Sequence, residues 1–297
     1  MTSLRKMTWP RLFPQAVVTE GEASFARPVS QACTHQQMAD PLYARWCHAI
    51  HEDPKTHRKQ WEFCYILQAL QTQGLLEAGR RGLGFGVGDE PLTAAFAARG
   101  VQIMATDLDV ERAAQQGWVE TDQHARSKDV LNGRGLCPPE QFNRLVDFRF
   151  MDMSAIDNDL RGYDFCWSAC ALEHLGSIEQ GLRFIEASLE CLRPGGVAVH
   201  TTEFNCQSNS ATLDNASTVL FRKRDFIALA SRLRRRGHDI VLNFDTGDQP
   251  LDLHIDVPPY AQANHLKLQI AEWVTTSFGL IVRKRGSNTS GLKFGGS

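Results

Sequence analysis

Three glycines stand on alternate positions, Gly84, Gly86 and Gly88, and the next apolar stretch closes on an acid, Asp107. The apolar run into the glycines reads as a strand entering a turn. The segment after it reads as a helix, with Pro91 in its first turn and Gly100 as its stop. Glycine at such a turn lets another molecule approach the backbone closely. In parallel sheets, ligands bind at the carboxyl ends of the strands, beside the helix N-termini that follow. A carboxylate ending the second strand can accept both hydroxyls of a ribose. The alternative is a tight turn with an N-capping acid. Glycines and spaced acid together favour a nucleoside-containing ligand.

The rest of the chain keeps alternating. Strand patterns end near Asp107, Met153, Ala169, Phe204, Phe244 and Arg285, and helical patterns lie between most of them. This alternation implies a parallel sheet with helices on both faces. Residues 1–74 read as an N-terminal arm with helices, and 75–245 as the core. Residues 246–278, lacking a full crossover pattern, read as a substrate cap between strands six and seven, and 279–286 as the last core strand. The Gly/Ser-rich tail 287–297 reads as disordered.

A net charge of -2 gives no electrostatic case for nucleic acid, and no DNA partner is expected. The basic run 232–238 closes a helical pattern, where cations complement the helix dipole. No stretch nears the roughly 20 apolar residues that span a bilayer, and the N-terminus has no apolar signal core. The eight scattered cysteines form no C-x-x-C pair. The expectation is a cytoplasmic protein with free thiols. Oligomeric state is not legible.

The loop separates two ligand classes. A nicotinamide fingerprint needs Gly or Ala three residues after Gly86, where this chain has Asp89. Asp89 and Glu90 would repel a pyrophosphate. They suit a ligand with a cationic or zwitterionic end, such as S-adenosylmethionine.

The loop at 84–88, Asp107, "FMDMSAI", "YDFCWSACALEHL" and "LECLRPGGVAVHTTE" together resemble the class I S-adenosylmethionine-dependent methyltransferases over residues 60–245. The resemblance extends loosely to a bacterial subgroup associated with glycans or secondary metabolites. It implies a Rossmann-like, seven-stranded, mostly parallel α/β sheet with the last strand antiparallel. It implies cofactor contacts at Gly84, Phe85, Gly86, Gly88, Glu90, Asp107, Leu108, Asp152, Met153 and Ser168. One departure stands out: the acid usual two residues before the first loop glycine is Gly82 here. Asp89, Glu90 or Glu62 must then hold the methionine amino group, or its anchor is weaker.

Methyl transfer from a sulfonium needs proximity and orientation, and an oxygen acceptor must also lose a proton. His174 is the expected base beside the methyl group, with Glu173 supporting it and Glu203 flanking. His200, on a strand, is expected in the core. Related O-methyltransferases carry an E-x-x-E-H motif that meets a divalent ion. The matching positions here, Cys170, Glu173 and His174, lack the first carboxylate, so a metal is a minor expectation. Candidate acceptor contacts are His124, Asn205, His254, Asp256, Tyr260 and His265, with Trp118 and Gln123 on the opposite wall. Trp61 and Glu62 are expected to close the cofactor pocket. The leading expectation is O-methylation of a sugar, glycan or small hydroxylated metabolite. The alternatives are an RNA or protein methyltransferase, or a non-catalytic cofactor-binding partner.

Overall fold

The computed structural model describes residues 15–109, 125–261 and 263–286. In chain order the elements are β1 (Val17–Thr19), β2 (Ser30–Ala32), α1 (His35–Met38), α2 (Pro41–Ala49), α3 (Arg58–Thr72), β3 (Arg81–Phe85), α4 (Leu92–Ala97) and β4 (Gln102–Asp107). Then come α5 (Pro139–Leu145), β5 (Val146–Phe150), β6 (Tyr163–Ala169), α6 (Ile178–Ser188), β7 (Leu192–Asn205), α7 (Lys223–Arg235) and β8 (Val241–Asn243). The chain closes with α8 (Pro250–Leu253), β9 (Ile255–Asp256), β10 (Lys267–Ile270) and β11 (Trp273–Arg283). The helix expected after Asp107, the tail, and Trp118, Gln123 and His124 lie outside the described residues.

The strands form one sheet in the order β1-β8-β2-β11-β7-β6-β3-β4-β5, with β9 and β10 attached beside β11. Strands β3 to β7 are mutually parallel, and β11 runs antiparallel to β7. The chain winds outward from β3 to β5, then returns to β6 on the other side of β3. The reversal between β3 and β6 is a topological switch point, where a parallel sheet opens a crevice. The fold is the expected Rossmann-like α/β sheet.

Its strand count differs from expectation. The seven expected strands are β3 to β8 and β11, and four short ones join them. Two, β1 and β2, come from the start of the segment read as an N-terminal arm with helices. β2 inserts between β11 and β8, so β8 pairs with β2, and the sixth expected strand meets the last one at the Asp239–Arg283 bridge that precedes β8. A three-residue strand such as Ser-Gln-Ala is too short to show a period of two. Its buried Gln31 side chain donates to the Ser24 carbonyl and to Gln37, which offsets the cost of burying an amide. The last strand begins at Trp273 rather than at 279, so the end of the expected cap is sheet.

Alternation along the central strands divides the core. On one face Phe165 and Trp167 pack with Trp61, Tyr65 and Phe96. On the other, Phe85 and Cys166 pack with Phe184, Phe226 and Phe278. Helix α6 turns Ile178, Leu182 and Ile185 inward at helical spacing, and the Ser177 hydroxyl caps it by accepting from Gln180 N at 3.2 Å. Helix α3 is buried along most of its length and packs on β6, β7 and β11. No helix among the described residues is long and apolar enough to cross a membrane.

The glycines of β3 serve this packing. In register, Gly82 lies beside Phe165 and Gly84 beside Trp167. A Cβ at Gly82 would fall 2.5 Å from the Phe165 ring, and one at Gly84 would fall 2.5 Å from the Trp167 ring and from Val87. The aromatic rings occupy the space that side chains on β3 would need. The acid missing at position 82 has therefore no room here. Gly84→Ala should lower stability by about 1–3 kcal/mol, the usual cost of overpacking a filled core. A urea unfolding midpoint unchanged from wild type would contradict this account of Gly84.

Candidate functional site

The ends of β3, β4, β5 and β6 converge on a cavity of about 850 Å³. Gly86 and Gly88 line it with positive φ angles of 56° and 52°, a conformation that glycine adopts without strain. A Cβ at Gly86 would also crowd Ala171 at 3.0 Å and Met153 at 3.2 Å. Asp107 and Leu108 follow from β4, and Asp152 and Met153 from the segment after β5. Cys170, Ala171 and His174 follow β6. Lys59 and Phe63 reach in from α3, and Asn215 to Ser217 from the loop after β7.

The polar groups are held in place. Asp107 is 7% exposed; its Oδ2 accepts from Gly88 N and Ala125 N, both at 2.9 Å, and its Oδ1 from Leu108 N at 2.8 Å. Asp152 Oδ1 accepts from the amide and hydroxyl of Ser154 at 2.8 and 2.6 Å. Glu90 is 7% exposed, and its Oε1 accepts from Trp167 Nε1 at 2.7 Å. Burial pushes the Glu90 carboxyl well above the usual range, although the Trp167 hydrogen bond acts the other way. Of the acids that might replace the missing one at 82, Glu90 lines the cavity from within, Asp89 is exposed, and Glu62 lies outside the lining.

Beside Cys170 lies a buried charged cluster. Arg58 of α3 pairs with Glu203 at 2.5 Å and with Glu62 at 3.4 Å, and donates to Ser277 Oγ at 3.0 Å. Glu62 also accepts from Thr201 Oγ1 and Cys170 Sγ, both at 3.1 Å, and from Ser277 Oγ. Burial acts to raise the Glu62 pKa. Lys59, Arg58 and these hydrogen bonds outweigh it and leave the group lowered and ionised. Glu173 accepts from Thr202 Oγ1 at 3.0 Å, and Thr275 Oγ1 donates to Glu203 at 2.9 Å. Cys170 carries a positive φ of 50°, a backbone strain of the kind that collects at functional sites.

Several expected site residues stand elsewhere. Gly84 and Phe85 are buried in the sheet; Phe85 meets Phe184 edge-on at 5.1 Å. Ser168 points to His200 rather than into the cavity, with its hydroxyl 2.9 Å from Nδ1. Glu203 faces Arg58, not the cavity, because its charge needs a buried counterion. Asn205 accepts from the amides of Gln207 and Ser208 at 2.9 Å, and so shapes the loop that leads to Asn215. None of the expected cap residues lines the cavity. Asp256 and His265 bond to each other at 2.6 Å, the His265 ring stacks on His57 at 4.8 Å, Tyr260 donates to the Gln269 carbonyl, and His254 is exposed. Trp61 stacks on Tyr65 in the core at 4.7 Å.

The sequence reading missed Lys59, Phe63 and the loop 215–217. Lys59 and Phe63 sit four residues apart on α3 and share a face, a spacing already visible in the sequence. The expected metal set also changes. Among the described residues, the ligand atoms that cluster are those of Cys170, Glu173 and Glu203, within 4.8 Å of one another, without His174. The Arg58 guanidinium stands 2.5 Å from Glu203 and 3.9 Å from Cys170 Sγ. A divalent ion there would meet a fixed positive charge, so this donor set does not fit one.

The chain matches no family model and no curated protein in sequence. Solved structures similar in shape include methyltransferases. A Galdieria sulphuraria protein provisionally assigned as a sarcosine dimethylglycine methyltransferase shares 14% identity at a TM-score of 0.45, over 83% of this chain and 99% of that one. An S-adenosylmethionine-dependent methyltransferase of Clostridium acetobutylicum shares 13% at 0.41, over 77% and 92%. Phosphoethanolamine N-methyltransferase 2 of Haemonchus contortus, in complex with S-adenosylmethionine, shares 17% at 0.41, over 67% and 41%. With identities and scores this low, the functional reading rests on this chain's own residues.

His200 is a core residue, as its strand position implied. It is fully buried between Ser168 and Ser188. The Ser188 hydroxyl donates to the Ile185 carbonyl, so its oxygen accepts from His200 Nε2, and Nδ1 accepts from Ser168. This arrangement suits the neutral ring, and burial lowers the His200 pKa to about 3. An unfolded histidine titrates near 6.5. Between those values the unfolded chain binds the extra proton, so stability falls as pH drops through that window, by up to about 1.4 kcal/mol per pH unit. His200→Gln should flatten this acid limb in urea titrations between roughly pH 4 and 6. An unchanged pH slope would contradict the neutral, buried assignment.

Proposed function

We propose that this chain is an S-adenosylmethionine-dependent methyltransferase that methylates a hydroxyl of a sugar or another small hydroxylated metabolite. The observation that carries the cofactor reading is Asp107. Its carboxylate is fixed by three backbone amides at the wall of the cavity, beside the Gly86–Gly88 turn. A ribose seated there finds two aligned carboxylate oxygens. The adenine then lies toward Asp152 and Met153, and the methionine end toward Glu90 and α3. The acids around the turn disfavour a pyrophosphate and suit a cationic ligand.

His174 supports an oxygen acceptor. Its Nδ1 lies 2.8 Å from the Ser217 carbonyl, which accepts a hydrogen bond from the Nδ1–H and leaves Nε2 as the basic atom. Nε2 lies 3.9 Å from Glu173 Oε1. The Glu173 pKa is raised, first by burial and then by Glu203, while His174 and Lys59 act against the rise. As an acceptor hydroxyl attacks the methyl carbon, its proton passes to His174 Nε2. Glu173 beside it stabilises the imidazolium that forms. The sulfonium leaves as a neutral thioether, so charge balances in the step.

The test is release of labelled methyl from S-adenosylmethionine over a panel of sugars, phenols and amines. Transfer to a hydroxyl compound is expected, and a preference for amines would remove the O-methyl assignment. Asp107→Ala should weaken S-adenosylhomocysteine binding by about 1–3 kcal/mol in calorimetry. His174→Ala should keep that binding and lose roughly 10²- to 10⁴-fold in turnover. Near-normal turnover in His174→Ala would exclude it as the base.

A further inference from the structure

We infer that Lys59 and Glu90 together hold the zwitterionic amino-acid end of the cofactor, Lys59 its carboxylate and Glu90 its ammonium. The inference rests on the S-adenosylmethionine reading above and assigns the end that the missing acid at Gly82 leaves open.

The first observation is the charge distribution. The described residues lining the cavity include the acids Asp89, Glu90, Asp107 and Asp152 and a single lysine or arginine, Lys59. A ligand with an adenosine, a sulfonium and an ammonium satisfies acids. Its one carboxylate requires a cation, and Lys59 is placed to supply it. The side chain is 37% exposed and 3.5 Å from Glu62 Oε2, so it is steered by a fixed neighbour yet open to the cavity.

The second observation is Glu90 itself. It is a nearly buried carboxyl with one oxygen engaged, by Trp167. That bond fixes its direction, because Trp167 is wholly buried between Phe96 and Phe165. The groups that act on Glu90 are Trp167 of β6, Lys59 and Glu62 of α3, and Asp107 of β4. Within this set Lys59 favours the ionised form, and the two acids oppose it. An ammonium placed against Glu90 adds a second favourable charge and offsets its desolvation. Lys59 and Glu90 are thus electrostatic neighbours on the same cavity, one of each sign, as an α-amino acid requires.

Two ligands separate this end from the nucleoside end. S-adenosylhomocysteine carries the amino acid; 5′-methylthioadenosine keeps the adenosine and thioether and lacks it. Calorimetry on the full chain compares both with wild type, Lys59→Met and Glu90→Gln. The glutamine retains an acceptor for Trp167. Each substitution should weaken S-adenosylhomocysteine about tenfold or more, the scale of a charge-assisted contact, and leave 5′-methylthioadenosine within about twofold. Lys59→Arg should restore most of the loss. Unchanged S-adenosylhomocysteine affinity in both variants, or an equal loss for both ligands, overturns the clamp while leaving the cofactor reading intact. Wild type that binds neither ligand overturns the cofactor reading and the clamp with it. Binding of 5′-methylthioadenosine reports that a variant is folded; if Lys59→Met does not fold, Lys59→Gln carries the same comparison.

Discussion

The approach of Trp167 onto Gly84 is the contact from which the site is built. Two neighbouring parallel strands bring them side by side, and only a residue without Cβ leaves space for the indole. The ring then fills the layer beneath α4 and turns its N–H toward Glu90. The same contact therefore sets the packing of the central strands and aims an acid at the cavity. Gly82 and Phe165 repeat it two residues earlier. This repetition explains why the strand carries glycine where a methyltransferase-like sequence would carry an acid.

A second constraint comes from charge. Arg58, Glu62 and Glu203 bury an ion-pair network that ties α3 to β7 and β11. Such networks add little net stability over apolar packing, but removing one partner costs about 3–5 kcal/mol because the others are left uncompensated. The hydroxyls of Thr201, Thr275 and Ser277 complete its hydrogen bonds. What the network provides is position. It fixes the turn of α3 that carries Lys59 and Phe63 over the cavity, and it holds Glu203 against Arg58 rather than in the cavity lining.

The sequence made the frame legible and the details less so. Alternating strand and helix patterns located β3 to β8, and the spacing from glycine turn to acid located Asp107. Long-range partners decided the remainder. Nothing local distinguishes Gly84, which packs under an indole, from Gly86, which faces the cavity. Ser168 and Glu203 both follow sound strand-end logic, yet a buried histidine and a buried arginine claim them. The strands β1, β2, β9 and β10 are two to four residues long, too short to carry a period. Their pairing depends on edges that other parts of the chain provide.

The central claim is that the cavity at the switch point holds S-adenosylmethionine. A crystal structure of the full chain with S-adenosylhomocysteine tests it most directly. The account predicts the ribose hydroxyls on Asp107, the adenine beside Asp152 and Met153, and the sulfur turned toward Cys170 and His174. Density for the ligand at another place, or an empty cavity at saturating ligand, would contradict it.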